Sequence, residues 1–200
     1  MNTWCVLPVR SLAESKSRLA HILTAEERGA LTGRFVQHTI ATLKEVAGID
    51  HIMVVSRDPD VFDLVSTLGV VILPEQGTPG LNEAVSQASR AVKAMGAERL
   101  LVLPADLPFL SQQDIQALFD RSEVGTLVIA SDEVGDGTNA MLVAPADGIA
   151  FAYGVGSFER HKRLAEDRGL QVVIVQRHGL AFDLDTEVDW QAFQAQLDRR

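Results

Sequence analysis

Three cationic side chains, Arg10, Lys16 and Arg18, are crowded into the segment PVRSLAESKSRLA of a chain whose formal net charge is −9. Cations gathered in one loop can neutralise a triphosphate and stabilise charge developing on a leaving pyrophosphate. The segment is not a Walker loop, because G-x-x-x-x-G-K-[ST] is absent. A second feature is Asp106 in Pro104-Ala105-Asp106-Leu107-Pro108. The flanking prolines restrict the loop and preorganise a carboxylate for Mg²⁺, which takes one or two carboxylates and fills its other positions with phosphate oxygens and water. A third is Asp183-Leu184-Asp185. Period two in an extended segment sends both carboxylates to one side, where one or both can complete a metal site begun by Asp106. Each feature also has a plainer role: solvated loop cations, a turn aspartate bonding its own backbone, and acids placed at a helix start.

Two glycine-containing loops add polar groups. Gly135-Asp136-Gly137-Thr138-Asn139 carries a hydroxyl and an amide where backbone can approach a ligand. Gly154-Val155-Gly156-Ser157 precedes an expected helix start, a position that attracts anions. Either can equally be an ordinary turn. His161, one helical turn beyond Ser157, is expected to face solvent. Cys5, the only cysteine, lies among Trp4, Val6 and Leu7 and reads as a core thiol rather than a nucleophile. No convincing Ser-His-Asp or Cys-His constellation is present.

The elements that must carry these residues alternate between apolar, β-branched runs and helical periods, the pattern of an α/β sheet. Strands are expected over residues 3–9, 51–55, 70–73, 99–103, 126–130, 140–143 and 172–175. The run 99–103 is fully buried in character and belongs in the sheet centre. Helices are expected from the capping box Thr24-x-x-Glu27 to near Gly48, and from Asp58-Pro59 to near Gly69. Others cover 81–95, start at the capping box Ser111-x-x-Asp114, and run from Ser157 as cap to Gly169. A terminal helix opens at Thr186-x-x-Asp189, with Trp190, Phe193 and Leu197 on one face.

With 200 residues, 46% hydrophobic and 22% charged, the composition fits one globular domain over residues 1–200 and excludes disorder. No uncharged apolar stretch reaches the roughly 18 residues of a membrane span, and the first ten residues lack the pattern of a signal peptide, so the cytoplasm is the expected location. The acidic balance, with a pI near 5.0, opposes broad binding to nucleic acid.

Taken in order, PVRSLAESKSRLA, GLNEAV, LPADLPFL, DGTNAMLV, YGVGSFERH and DLDTEVD resemble the CofC/FbiD guanylyltransferases of coenzyme F-420 biosynthesis. The segments span nearly the whole chain. PADLP also occurs in wider nucleotidyltransferases; the combination of T-N-A, G-S-F-x-x-H and D-x-D-T is more specific. The resemblance implies a GT-A-type nucleotidyltransferase domain, a Rossmann-like mixed, mostly parallel sheet with helices on both faces. It implies transfer of GMP from GTP to a small phosphorylated three-carbon acid, with release of pyrophosphate. Asp106 would bind Mg²⁺ with Asp183 or Asp185 as second ligand. Arg10, Lys16 and Arg18 would face the triphosphate, Asn82 the nucleoside, and Thr138, Gly154 and Ser157 the acceptor acid. A homodimer and hand-over of product to the next enzyme are compatible with it.

The chain departs from the family pattern at Arg10, where lysine is usual, and at Glu187-Val188, where a proline-acid pair is usual. The first keeps the charge with changed geometry. Phosphoenolpyruvate and 2-phospho-L-lactate are equally weighted acceptors, and 3-phospho-D-glycerate is a lesser alternative. Rival readings are a molybdenum-cofactor or sugar-phosphate nucleotidyltransferase and a non-catalytic nucleotide-binding regulator. The molybdenum-cofactor reading lacks its glycine-rich first loop here.

Overall fold

The computed structural model describes residues 1–197. Its elements in chain order are β1 (Thr3–Pro8), a 3₁₀ turn (Ser17–Leu19), α1 (Ala25–Lys44), β2 (His51–Ser56), α2 (Pro59–Val65), β3 (Val71–Pro74), α3 (Leu81–Ala94) and β4 (Arg99–Val102). Then follow α4 (Gln112–Phe119), β5 (Thr126–Ser131), β6 (Thr138–Ala144), α5 (Ser157–Glu166), β7 (Gln171–Ile174), α6 (His178–Ala181) and α7 (Glu187–Leu197).

The seven strands form one sheet in the order β3-β2-β1-β4-β6-β5-β7, with β4 in the middle as its apolar sequence requires. Pairings are parallel except β4 with β6 and β5 with β6. Alternate residues of each strand feed two cores. Cys5, Leu7, Val54, Leu101 and Leu142 pack under α1, α2 and α4, whereas Val6, Met53, Leu100, Val102 and Met141 pack under α3 and α5. Helices thus cover both faces. The Cys5 thiol is fully buried and its pKa is pushed up by burial, as a core residue's should be.

From β1 the chain steps outward through α1 and α2 to the edge strand β3, then returns across the sheet through α3 to place β4 on the other side of β1. A right-handed crossover in each direction puts α3 on the opposite face from α1 and α2. The reversal opens a crevice beyond the carboxyl ends of β1 and β4, where such sheets bind ligands.

Local signals set the helix starts. Thr24 and Glu27, and Ser111 and Asp114, form reciprocal capping boxes. Asp58 accepts from the Asp60 N–H ahead of Pro59 at the first turn. At the last helix Thr186 and Asp189 exchange the same kind of bonds. Two expectations about these helices need correction, and one further element was not expected. Gly156, with φ 71°, caps α5, and Ser157 is its first helical residue; the left-handed backbone there disfavours any side chain. Leu197 is exposed, so only Trp190 and Phe193 join the small cluster with Phe35, Phe109 and Phe182. The α6 turn had no signal, because four residues are too few for a readable period.

That short turn matters because it steers the chain back toward Asp106. Gly179 packs so closely that a Cβ would lie 2.6 Å from the Phe109 carbonyl oxygen and would overlap the buried Asp114 carboxylate. Asp114 is held by Ser111 and by Arg177 Nε at 2.9 Å, so it has little room to yield. Gly179→Ala is expected to lower stability by about 2–4 kcal/mol, seen as a reduced melting temperature, through overpacking against a fixed backbone. An unchanged melting temperature would show that the segment adjusts freely.

Candidate active site

The loop after β1 is ordered by its neutral residues. The Leu12 N–H donates to Asp58 Oδ2 at 2.8 Å, Ser15 Oγ donates to the Leu12 carbonyl and shares a bond with Thr32, and Leu19 is fully buried. Arg28 donates to the carbonyls of Ser15 and Leu23 from α1. Between these anchors Lys16 adopts a left-handed backbone, φ 52° and ψ 38°, the one positive-φ non-glycine residue among those described. Such strain persists where surrounding interactions over-determine it. Here the ammonium donates to Asp106 Oδ2 at 2.7 Å and Asp185 Oδ1 at 3.0 Å.

The Lys16 side chain is 4% exposed. Burial alone disfavours its charge, but the Asp106 and Asp185 carboxylates outweigh that and hold its pKa above the ordinary lysine value. Arg18 stands outside, 4.0 Å from Asp185 and mostly exposed. Asp106 follows β4, and its carbonyl accepts from the Leu184 N–H, tying it to the D-x-D segment. Leu184 is buried while Asp183 and Asp185 flank it, the alternation that period two predicts. Burial, then the neighbouring charges of Asp106 and Asp185, push Asp183 up to about 6. Asp189 fixes the segment's far end by accepting from the N–H groups of Asp185 and Thr186.

The predicted acceptor residues converge at the start of β6 and α5. Here His161 faces the interior: it is fully buried, contrary to the solvent-facing expectation. The Ala152 N–H donates to Nε2 at 2.8 Å, which leaves the proton on Nδ1, 3.0 Å from Thr138 Oγ1. Ser157 Oγ donates to the same Thr138 oxygen at 3.2 Å. With both lone pairs engaged, the Thr138 hydroxyl keeps one proton to donate elsewhere. The start of α5 is not an open anion site. Asp136 accepts there through its carboxylate from Gly156 N–H at 2.9 Å and through its carbonyl from Phe158 N–H at 3.0 Å, while the Gly154 carbonyl accepts from Ser157 N–H. An incoming acid must compete with Asp136.

Asn139, next to Thr138, donates to the Ala181 carbonyl at 3.1 Å and hydrogen-bonds the Asp183 carboxylate. It joins the hydroxyl cluster to the carboxylates, a role that sequence reading missed although the T-N-A motif contained the residue. Asn82 holds the backbone N–H and carbonyl of Tyr153 with its amide, clamping α3 to the 150s loop. Farther along the edge, Arg57 donates to Glu75 Oε1 at 2.9 Å. That bond and the Gly80 N–H lower the Glu75 pKa against the opposing effect of burial, with charges on Arg57 and Arg10 contributing.

The structure therefore gathers Lys16, Asp106, Asp183 and Asp185 at one point, with Arg18 at its rim. It gathers Thr138, Ser157 and Gly154 at a second, joined to the first through Asn139; Arg10 belongs to neither, although its charge contributes at Glu75. A groove of about 520 Å³ between α1, α2 and Leu12 lies away from the carboxylates. Among the described residues, no three acidic, histidine or cysteine side chains form a ready-made metal site; the Lys16 ammonium stands between two of the acids.

The profile of the family described as "Guanylyl transferase CofC like" matches residues 3–193. The chain belongs to that family. CofC-like relatives include the phosphoenolpyruvate guanylyltransferase of Rubrobacter xylanophilus, 37% identical over 98% of this chain and 95% of that protein. The enzyme of the same name from Sphaerobacter thermophilus is 36% identical over 94% and 91%. The 2-phospho-L-lactate guanylyltransferase of Methanothermobacter thermautotrophicus is 31% identical over 94% and 82%. Solved structures share the fold: a nucleotidyl transferase from Methanothermobacter, TM-score 0.69 at 16% identity over 99% and 98% of the two chains, is one. The 4-diphosphocytidyl-2C-methyl-D-erythritol synthase of Anaerococcus prevotii, TM-score 0.70 at 14% identity over 98% and 96%, is another. The CofC-like chain is thus a nucleotidyltransferase with a mixed, mostly parallel sheet. Among its described residues no helix is long and apolar enough to cross a membrane.

The buried histidine makes a pH prediction. Burial, and secondarily the Arg160 charge, lower the His161 pKa to about 4, so the folded protein keeps it neutral while the unfolded chain protonates it near the ordinary 6.5. Its contribution is complete above about pH 6.5 and shrinks toward pH 4, at up to about 1.4 kcal/mol per pH unit. The melting-temperature advantage of wild type over His161→Gln should therefore be larger at pH 7 than at pH 5. Equal advantages at both values would contradict a neutral, buried imidazole.

Proposed function

We propose that residues 1–200 act as one domain that transfers GMP from GTP to the phosphate of a three-carbon phosphorylated acid, releasing pyrophosphate. Phosphoenolpyruvate is the acceptor this reading favours, because several relatives at 34–37% identity carry that name. The observation that carries the proposal is the Lys16–Asp106–Asp185 cluster at the sheet's reversal point, where an otherwise acidic chain concentrates its basic loop.

A phosphate oxygen of the acceptor attacks the α-phosphorus of GTP. The bond between that phosphorus and the oxygen bridging to the β-phosphate breaks, and its electron pair leaves with pyrophosphate. The acceptor phosphate is ionised at neutral pH, so no side chain need remove a proton. Catalysis then rests on alignment and charge. Lys16 is already fixed beside Asp106 and can shift its ammonium toward the triphosphate, with Arg18 and Arg10 neutralising charge at the rim. Thr138 offers its free hydroxyl proton to the acid, and Ser157 and Gly154 shape the same subsite.

The donor set also fits a hard divalent cation. Asp106 and Asp185 share one buried ammonium, and Asp183, raised to about 6 by burial first and by the charges of those two acids second, adds a third carboxyl nearby, which leaves the cluster acidic. Asp106, Asp183 and Asp185 would hold Mg²⁺, which when bound supplies positive charge to the phosphate oxygens.

Two measurements test the reading. Wild-type protein given Mg²⁺ and GTP should release pyrophosphate fastest with phosphoenolpyruvate, more slowly with 2-phospho-L-lactate, and at least tenfold more slowly with ATP in place of GTP. A preference for 3-phospho-D-glycerate by about a hundredfold would replace the acceptor. Asp106→Asn should keep the melting temperature within a few degrees and lose about 10²–10⁴ in rate, since it retains size but not charge. More than about a tenth of the wild-type rate at saturating Mg²⁺ would remove Asp106 from the metal, because a tenfold change is only about 1.4 kcal/mol.

A further inference from the structure

We propose that Glu75 reads the guanine base, an inference that rests on GTP being the donor and deepens that reading. Guanine presents two adjacent donors on its pairing edge, N1–H and the 2-amino group. Adenine presents at the corresponding ring nitrogen an acceptor. A fixed carboxylate at the base site therefore accepts from guanine and repels adenine.

The topology supplies the place. Arg57 and Glu75 are the first residues beyond the carboxyl ends of β2 and β3, and Arg10 lies two residues beyond β1. These three strands are parallel neighbours, so the residues line the same edge of the sheet as Asp106 after β4. Three inter-strand spacings of about 4.8 Å put the ends of β3 and β4 about 14 Å apart, a distance that a nucleoside with its phosphates can bridge. A triphosphate at Lys16 and Arg18 then carries its base toward Glu75.

Besides Asp60, exposed in the first turn of α2, three carboxylates stand on this part of the edge. Asp58 is committed, accepting from Leu12 N–H through one oxygen and Asp60 N–H through the other. Glu83 stands on α3 with its side chain 52% exposed and pairs with Arg90. Glu75 is different, with a side chain only 11% exposed. Its Oε1 accepts from Arg57 at 2.9 Å and from Gly80 N–H at 3.2 Å, which fixes the rotamer. Those bonds use two of a carboxylate's four lone-pair sites and leave Oε2 with two, the number guanine's donors require. Space is present as well, since a Cβ added at Gly77 or at Gly80 would meet nothing within 4 Å. Arg57 is a positioning residue here: it also donates to the Gly77 carbonyl at 3.4 Å and so holds loop and carboxylate together.

Equilibrium binding of GTP, ITP and ATP in the presence of Mg²⁺, without acceptor, tests the inference independently of the acid. Wild type should bind GTP at least tenfold more tightly than ATP, with ITP, which lacks the 2-amino group, between them. Glu75→Gln should weaken GTP about tenfold to a hundredfold, leave ATP within about threefold, and compress the GTP-to-ITP ratio toward one. Glu83→Gln, on the neighbouring helix, should leave all three ratios unchanged. If Glu75→Gln melts early, Glu75→Asp keeps the charge while withdrawing the carboxylate, and the same loss of selectivity is expected. Undiminished selectivity for GTP over ATP in a folded Glu75 variant would overturn the assignment while leaving the function standing. Equal binding of GTP and ATP by wild type would overturn both.

Discussion

One buried ammonium holds the carboxyl edge of the sheet together. Lys16 belongs to the loop after the first strand, Asp106 to the loop after the fourth, and Asp185 to the segment before the last helix, and their side chains meet within 3.0 Å. Removing a lysine from water is unfavourable, and so is placing three carboxylates together; each arrangement is stable because the other is present. The left-handed backbone at Lys16 has the same origin, since the loop must turn the ammonium inward while Ser15 and Leu19 stay anchored on either side. Two carboxylates against one ammonium leave an excess of negative charge after this pairing.

The sheet makes that meeting possible. Because the chain moves outward from β1 and later returns past it, the carboxyl ends of β1 and β4 become neighbours although almost a hundred residues separate them. The close approach at Gly179 turns the chain from β7 toward Asp183, and the Leu184 N–H bond to the Asp106 carbonyl completes the closure. Asn139 then ties this cluster to the hydroxyls of Thr138 and Ser157, so the proposed nucleotide and acceptor subsites share one rigid frame. His161 keeps that frame in one tautomeric state, and Asp136 caps the helix end that an acid would otherwise meet unprotected.

The sequence by itself determined the elements and most of the chemical residues. Strand and helix positions followed from period and capping: Thr24 with Glu27, Asp58 with Pro59 and Ser111 with Asp114 all start helices as their spacing requires. The apolar run at Arg99–Val102 placed itself at the sheet centre, and the motifs from PVRSLAESKSRLA to DLDTEVD indicated the CofC-like family that residues 3–193 match. These properties are local, or depend only on residue type. What tertiary structure alone decided concerns where side chains meet. The burial of His161 is not legible from its own helix, because the Ala152 N–H and Thr138 hydroxyl are brought to it from elsewhere, and Gly156 rather than Ser157 caps α5 because the chain enters that helix through a left-handed turn. Glu75 and the pairing of Lys16 with two distant aspartates likewise had no one-dimensional signal, and the T-N-A motif held Asn139 without showing its partners, since each depends on segments far apart in sequence ending side by side.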